Sequence, residues 1–363
     1  MLDVYLGLYV HLRIHWQGFR CSCGFKVLPS AALLLSKTVG LDNRSKAVGG
    51  IMRVLIIGGT RFVGYHLCLQ LLEAGHEVTL FNRGKQKVNF PEPVERIFGD
   101  RNDFQLVKTL LEGQSFDAIF DTSGRKQEQT AAFSELYRDK IAHFVYISSA
   151  GVYTTGETWP LTEASPINPE SRHRGKGETD EYLLGDPAFR ATSIRPVYIY
   201  GPQNYNEVED WFFDRAVRGR PILVPGDGQT ITQLGHAQDL ARACIAVLGN
   251  EKAVGQIYNV SGTEYVTFTG LAQACVKVCQ STVELVYFDP KKYSDLGRSF
   301  FPLRQQHFFS SMAKAERDLD WTPQFSLQTG LADSLTAYCH HGRQDRVVDF
   351  TQDDTILQAL EGT

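Results

Sequence analysis

The chain has 363 residues, 37 basic and 41 acidic, for a net charge of −4 with histidine neutral. That length suits two domains or one large α/β domain with a sizeable core. No apolar run is long enough to cross a bilayer, and the charge balance excludes broad, sequence-blind nucleic-acid binding, so any RNA site must be a local basic patch.

Residues 1–51 differ from the rest of the chain. They hold six basic residues and two acids, show weak periodicity and close on Val48-Gly49-Gly50. Two readings stay open: a basic, acid-poor targeting peptide, or upstream sequence ahead of a true start at Met52. Few serines and the place of Met52, one residue before the first strand, favour the second. Either way the segment lies outside the fold. Without it 31 basic residues face 39 acidic ones, a net of −8. The seven cysteines are scattered. Cys21 and Cys23 are too close together for a zinc pair, and Cys275 and Cys279 lack further ligands nearby, so free thiols in a reducing compartment are expected.

From Arg53 strands and helices alternate. Arg53–Ile57 is a strand, Val63–Ala74 a helix stopped by Gly75, and Glu77–Phe81 a strand. Arg96–Phe98 is a short strand, Phe104–Leu111 a helix, Asp117–Phe120 a strand and Gln127–Tyr137 a helix. His143–Ser148 and Ala191–Arg195 are further strands. Such alternation predicts a doubly wound parallel sheet, an α/β Rossmann fold, over 52–200. Beyond residue 200, Pro202, Pro221 and Pro225 with several glycines mark loops. Helices are expected over Gln238–Leu248, over Phe268–Cys279 and after Phe325, and a short strand over Tyr258–Val260. Residues 201–350 therefore read as a smaller mixed lobe with some segments returning to the sheet. The acidic stretch after Arg343 is expected to be peripheral, with 351–363 as a tail.

The stretch MRVLIIGGTRFVG, Met52 to Gly64, joins a strand to a helix through a glycine turn, the arrangement that binds a dinucleotide pyrophosphate. Its candidate contacts are Gly58, Thr60, Arg61, Phe62 and Gly64. Three-glycine spacing calls for glycine at 61, where Arg61 either fills the space or offers its guanidinium to a phosphate. Asn82 ends the second strand where an acid would bind the adenine ribose of NAD. Without that acid, and with Arg83 beside it, NADP is at least as suitable as NAD. Asp100, ending the third strand, can accept a hydrogen bond from the adenine amino group.

After strand five comes Ser148-Ser149-Ala150-Gly151-Val152-Tyr153. With Arg195-Pro196-Val197-Tyr198-Ile199-Tyr200-Gly201-Pro202, Pro225-Gly226-Asp227-Gly228, His236, Asp239-Leu240-Ala241 and Trp321-Thr322-Pro323, the chain resembles the extended short-chain dehydrogenase/reductases, the NAD-dependent epimerase/dehydratase superfamily. The resemblance implies that Ser149 binds a substrate oxygen and that Lys176 assists a tyrosine four residues ahead of it. Here that position is Arg172, which cannot shuttle a proton at neutral pH. The adjacent His173 titrates nearer neutrality and is a candidate substitute. Tyr153 and Tyr182 are expected to pack.

The stretches GGTRFVG (58–64), SRHRGKGETD (171–180), SIRPVYIYGPQNYN (193–206), QLGHAQDLA (233–241) and FPLRQQHFF (301–309) resemble a narrower group, the chloroplast stem-loop-binding proteins, b type, and their cyanobacterial relatives. That resemblance implies an atypical reductase-fold protein that binds RNA stem-loops, associates with ribosomes and, in some members, cleaves RNA with a divalent metal such as Mg. It places the protein in the chloroplast stroma if residues 1–51 are a transit peptide, or in a cyanobacterial cytoplasm if Met52 is the start. A homo-oligomer and no membrane partner are expected. Arg172, Arg174, Lys176, Arg215, Arg218 and Arg304, with Arg220 and His307, are candidate phosphate contacts. Tyr205, Trp211, Phe308 and Phe309 are candidate stacking surfaces, with core packing favoured for Trp211 and Phe308. Asp121, Asp227 and Asp239 are acids near the expected cleft, but their spacing defines no two-metal set. Two rivals stay open: an NAD(P)-dependent sugar-nucleotide epimerase or reductase, and a non-catalytic scaffold.

Overall fold

The computed structural model describes residues 50–293 and 300–362. The targeting-or-upstream reading of the N-terminal segment, and Cys21 and Cys23, lie outside the described residues.

The chain runs β1 (Arg53–Ile57), α1 (Phe62–Glu73), β2 (Glu77–Asn82), β3 (Glu95–Phe98), α2 (Phe104–Leu111), β4 (Ala118–Asp121), α3 (Gln127–Tyr137), β5 (His143–Ile147), α4 (Arg174–Leu184) and β6 (Ala191–Pro196). Next come β7 (Tyr198–Tyr200), α5 (Asp210–Ala216), β8 (Ile222–Pro225), β9 (Ile231–His236), α6 (Ala237–Ala246), β10 (Gln256–Val260), β11 (Tyr265–Thr267) and α7 (Phe268–Val278). The last elements are β12 (Leu285–Phe288), α8 (Ala313–Leu319), α9 (Leu327–His340) and α10 (Thr351–Glu361).

Seven strands form one sheet in the order β10-β6-β5-β4-β1-β2-β3, every neighbouring pair parallel. The central strands β1, β4 and β5 are mostly apolar because both faces are covered, whereas the edge strand β3, Glu95-Arg96-Ile97-Phe98, is partly exposed. Val54 and Ile56 of β1 face one layer with Leu67, Cys68 and Leu71 of α1 and Leu240, Cys244 and Val247 near α6. Leu55 and Ile57 face the other, with Val107 of α2, Phe133 of α3 and Leu183 of α4. Strand order reverses between β1 and β4, so the ligand crevice of a doubly wound sheet opens at their carboxyl ends.

The smaller lobe combines a three-stranded sheet, β11-β9-β7, with a parallel pair, β12-β8. Phe212, Phe213, Phe268, Leu271 and Leu331 lie in its core. Two expectations change. Between the fifth and sixth strands, where the sequence reading places no helix, Arg174–Leu184 is helical. The end of the chain is not peripheral: Ile356 of α10 is fully buried, and Asp353 receives Arg215 Nε and Nη2 at 2.7 and 2.8 Å.

Candidate functional site

The glycine turn sits where the strand order places it. Gly58 and Gly59 have φ of +111° and +80°, which only glycine adopts freely. A Cβ on Gly58 would meet Thr122 Oγ1 at 2.4 Å, and one on Gly64 would meet Gly59 N at 2.8 Å. The turn is thus pressed between β4 and the first turn of α1. Arg61 occupies the N-cap of α1, and its side chain makes no capping hydrogen bond. The first amides of α1 therefore have no side-chain cap there, the condition under which a helix start takes a phosphate. At the end of β2, Asn82 Oδ1 accepts from Gly84 N at 2.9 Å, while its Nδ2 is buried with no partner among the described residues. Arg83 beside it is exposed. Asp100 accepts from Asn102 N and Nδ2 at 2.9 and 2.7 Å, bonds that hold its carboxyl below the usual range. The turn and the orphaned amide fit a dinucleotide.

One pair escapes the sequence. Asp121, fully buried at the end of β4, binds both Nη atoms of Arg101 at 2.9 and 2.7 Å and Thr130 Oγ1 at 2.7 Å. Burial opposes its ionisation, but the guanidinium outweighs that and holds the carboxyl below its ordinary value. Asp121 is therefore committed to a buried ion pair. Asp227 caps a turn through Gln229 N, and buried Asp239 accepts from Gln324 N and Phe325 N. Among the described residues no group of three or more His, Cys, Asp or Glu is placed to hold a metal.

The reductase-like residues meet at the end of β5. Ser149 Oγ accepts from Gly151 N at 3.0 Å. Lys176 Nζ donates to the carbonyls of Ile147 and Ser148 at 2.6 and 3.1 Å. Burial brings this amine down to about 8, against the pull of Asp121 and Asp180. The position four residues earlier differs in backbone as well as in side chain. α4 begins at Arg174 with His173 as its N-cap, so Arg172 lies in the turn before the helix. Three nearby phenols are engaged elsewhere. Tyr153 OH donates to Asn259 Oδ1 at 2.8 Å, Tyr182 OH to Glu135 at 3.1 Å and Tyr146 OH to the Gly124 carbonyl at 3.1 Å.

His173 sits among cations. Burial, then Arg172, Arg304, Lys176 and Arg125, push its imidazole down to about 4. A Cβ on Gly151 would meet His173 Cδ2 at 2.5 Å and Arg304 Nη2 at 3.0 Å, so Arg304 reaches the same spot from the far lobe. Its guanidinium lies 4.3 Å from the ring centroid of Phe308, and its backbone N donates to Tyr198 OH at 2.8 Å.

The fold does not bring every predicted cation here. Arg174 is exposed and faces Glu178 at 3.8 Å. Arg215 is buried between Asp353 and the ring of Trp211, 3.4 Å from its centroid. Arg218 binds Asp214, Tyr338 OH and the carbonyl of Arg346, and Arg220 pairs with Asp354. Arg215, Arg218 and Arg220 brace the lobe against its C-terminal segment, a role invisible without knowing that α10 docks. His307 Nδ1 accepts from Ile231 N, Phe308 is buried, and Phe309 stacks on Trp159 with centroids 4.8 Å apart. Tyr205 lies instead beside the glycine turn, its ring centroid 4.0 Å from the guanidinium of Arg61.

Comparison with known proteins bears on the family and the fold. The NAD dependent epimerase/dehydratase family matches residues 54–261. The chloroplast stem-loop binding protein of 41 kDa b from Arabidopsis thaliana is 45% identical over 319 residues, 84% of each chain. A probable UDP-arabinose 4-epimerase from the same plant is 24% identical over 80% of this chain and 81% of its own. Among solved structures, the UDP-glucose 4-epimerase of Thermotoga maritima superposes with a TM-score of 0.69 at 19% identity, over 80% of this chain and 99% of its own. No helix among the described residues is long and apolar enough to cross a membrane.

Proposed function

Given that this chain belongs to the NAD dependent epimerase/dehydratase family, we propose that it is a non-redox member that binds structured RNA at the end of β5. The observation that carries this is the gathering of Arg125, Arg172, Lys176 and Arg304 around His173, whose imidazole burial and then their field drive down to about 4. Such a concentration of positive charge on an otherwise acidic protein suits the phosphates of a nucleic acid. The absence of a phenol one helical turn ahead of Lys176 removes the proton carrier that hydride chemistry needs. Binding, not cleavage, is the activity proposed.

A nicotinamide dinucleotide is the second ligand proposed; when bound it supplies a hydride acceptor. Gly58, Thr60, Arg61, Phe62 and Gly64 would hold its pyrophosphate, Asn82 and Arg83 its adenine ribose and Asp100 its adenine. Arg83 beside Asn82 favours NADP. The name of the 45% identical relative supports RNA stem-loops as the partner and a plastid as the compartment, with residues 1–51 as the transit peptide. A reporter fused to 1–51 tests the second point, and co-sedimentation with ribosomes tests whether the RNA partner is ribosomal.

The deciding experiment titrates the purified protein with a hairpin RNA and an unrelated duplex at several salt concentrations, and assays UDP-sugar interconversion in parallel. Hairpin binding with steep salt dependence and no turnover is expected. Turnover of a sugar nucleotide without RNA affinity overturns the reading in favour of an epimerase.

A further inference from the structure

Arg61 and Tyr205 are 144 positions apart in the sequence, yet the fold lays the guanidinium of one on the ring of the other, 4.0 Å from its centroid. Both are exposed, Tyr205 to 47%. Phe62 lies beneath them, its ring edge-on to Tyr205 at 5.9 Å, with φ of +47°. A bulky residue in the left-handed region is an outlier that only the surrounding structure can maintain. The loop bearing Tyr205 is strained as well: Gln203 and Glu207 have φ of +64° and +53°. It is moored from the far end of the chain. Arg343 donates to the carbonyl of Asn204 at 3.2 Å and pairs with Asp210, and Arg346 binds Glu207 at 2.6 Å.

We propose that Arg61 and Tyr205 form a clamp on the dinucleotide pyrophosphate. This rests on the reading of the glycine turn as a dinucleotide site. Where glycine at position 61 would let the backbone touch the phosphates, this chain supplies a guanidinium. Tyr205 stacks on it and fixes its plane over the start of α1, leaving its N–H donors free to face an anion. The C-terminal segment, by holding the loop, sets the position of the aromatic half, so Arg343 acts as a positioning residue at a distance.

Calorimetric titration of the full chain with NAD+, NADP+ and inorganic pyrophosphate tests this, with thermal melts to confirm folding. Arg61→Gly weakens all three ligands, by roughly ten- to a hundredfold in Kd, the scale of lost hydrogen bonds to a charged group. Tyr205→Ala and Arg343→Ala weaken them in the same direction, and Tyr205→Phe, which keeps the ring, leaves them bound. Unchanged or tighter binding by Arg61→Gly overturns the clamp and makes Arg61 a plug, while leaving the dinucleotide site intact. Failure of both the wild type and Arg61→Gly to bind any of the three overturns the site and the clamp together.

Discussion

Arg172 Nε donates to His173 Nε2 across 3.1 Å, which fixes that nitrogen as an acceptor and the imidazole as neutral. His173 is therefore expected to titrate near 4, not near its ordinary 6.5, when followed by NMR. Between those values the unfolded chain takes up a proton that the folded one refuses. The stabilising contribution is therefore full above about pH 6.5 and declines as pH falls toward 4. His143, also pushed down to about 4 by burial, contributes with the same sign. Urea unfolding midpoints should fall across this window, less so for His173→Gln. A His173 midpoint at 6.5 would remove the cationic field and this residue's share of the pH effect, leaving only that of His143.

Placing a phenol at position 172 is not expected to confer hydride chemistry. Arg172 precedes α4, so in Arg172→Tyr the new side chain is not presented one helical turn from Lys176. Assays of this variant with NAD+ or NADP+ and UDP- or GDP-sugars are expected to stay at background by nicotinamide absorbance. Measurable turnover would mean that identity, not backbone, is what the site lacks.

The salt dependence of hairpin binding divides the predicted cations. Replacing Arg172 and Arg304 together with alanine should flatten the slope of log K against log salt, each lost phosphate contact removing roughly 0.7–0.9 from its magnitude. Arg174→Ala should change it less, since that side chain is exposed on α4 beside Glu178. Electrophoretic shift at four or five salt concentrations reads the difference, and equal slopes for all variants would place the RNA elsewhere.

Asp353→Ala leaves the buried Arg215 guanidinium without its carboxylate. Removing one partner of a buried pair costs about 3–5 kcal/mol. Asp354→Ala, at the half-exposed pair with Arg220, should cost under about 1 kcal/mol. Urea denaturation distinguishes them; similar small losses would mean that α10 is not anchored through Arg215.

Much of the large sheet was legible because its strands are branched apolar runs and its turns are marked by glycine. Crossover helix α4 was not. Its first turns read Arg174-Gly175-Lys176-Gly177, two glycines among charges, poor in intrinsic helix preference; Gly175 is required because a Cβ there would meet the Arg125 carbonyl at 2.5 Å. The convergence of Arg172, His173 and Arg304 follows from motif order, but the diversion of Arg215 and Arg218 into the lobe does not, since a basic residue looks the same in sequence whether it faces solvent or a buried Asp. The Arg101–Asp121 pair was hidden for the same reason. Its hint was an Asp closing an otherwise apolar strand.

Helix α6 and strand β10 come after the smaller lobe has begun, yet they cover α1 and complete the sheet edge. A gene cut at residue 200 would strip the inner face of the dinucleotide half and leave the remainder without a scaffold. Exon shuffling or fusion thus has no clean seam to exploit within the folded region.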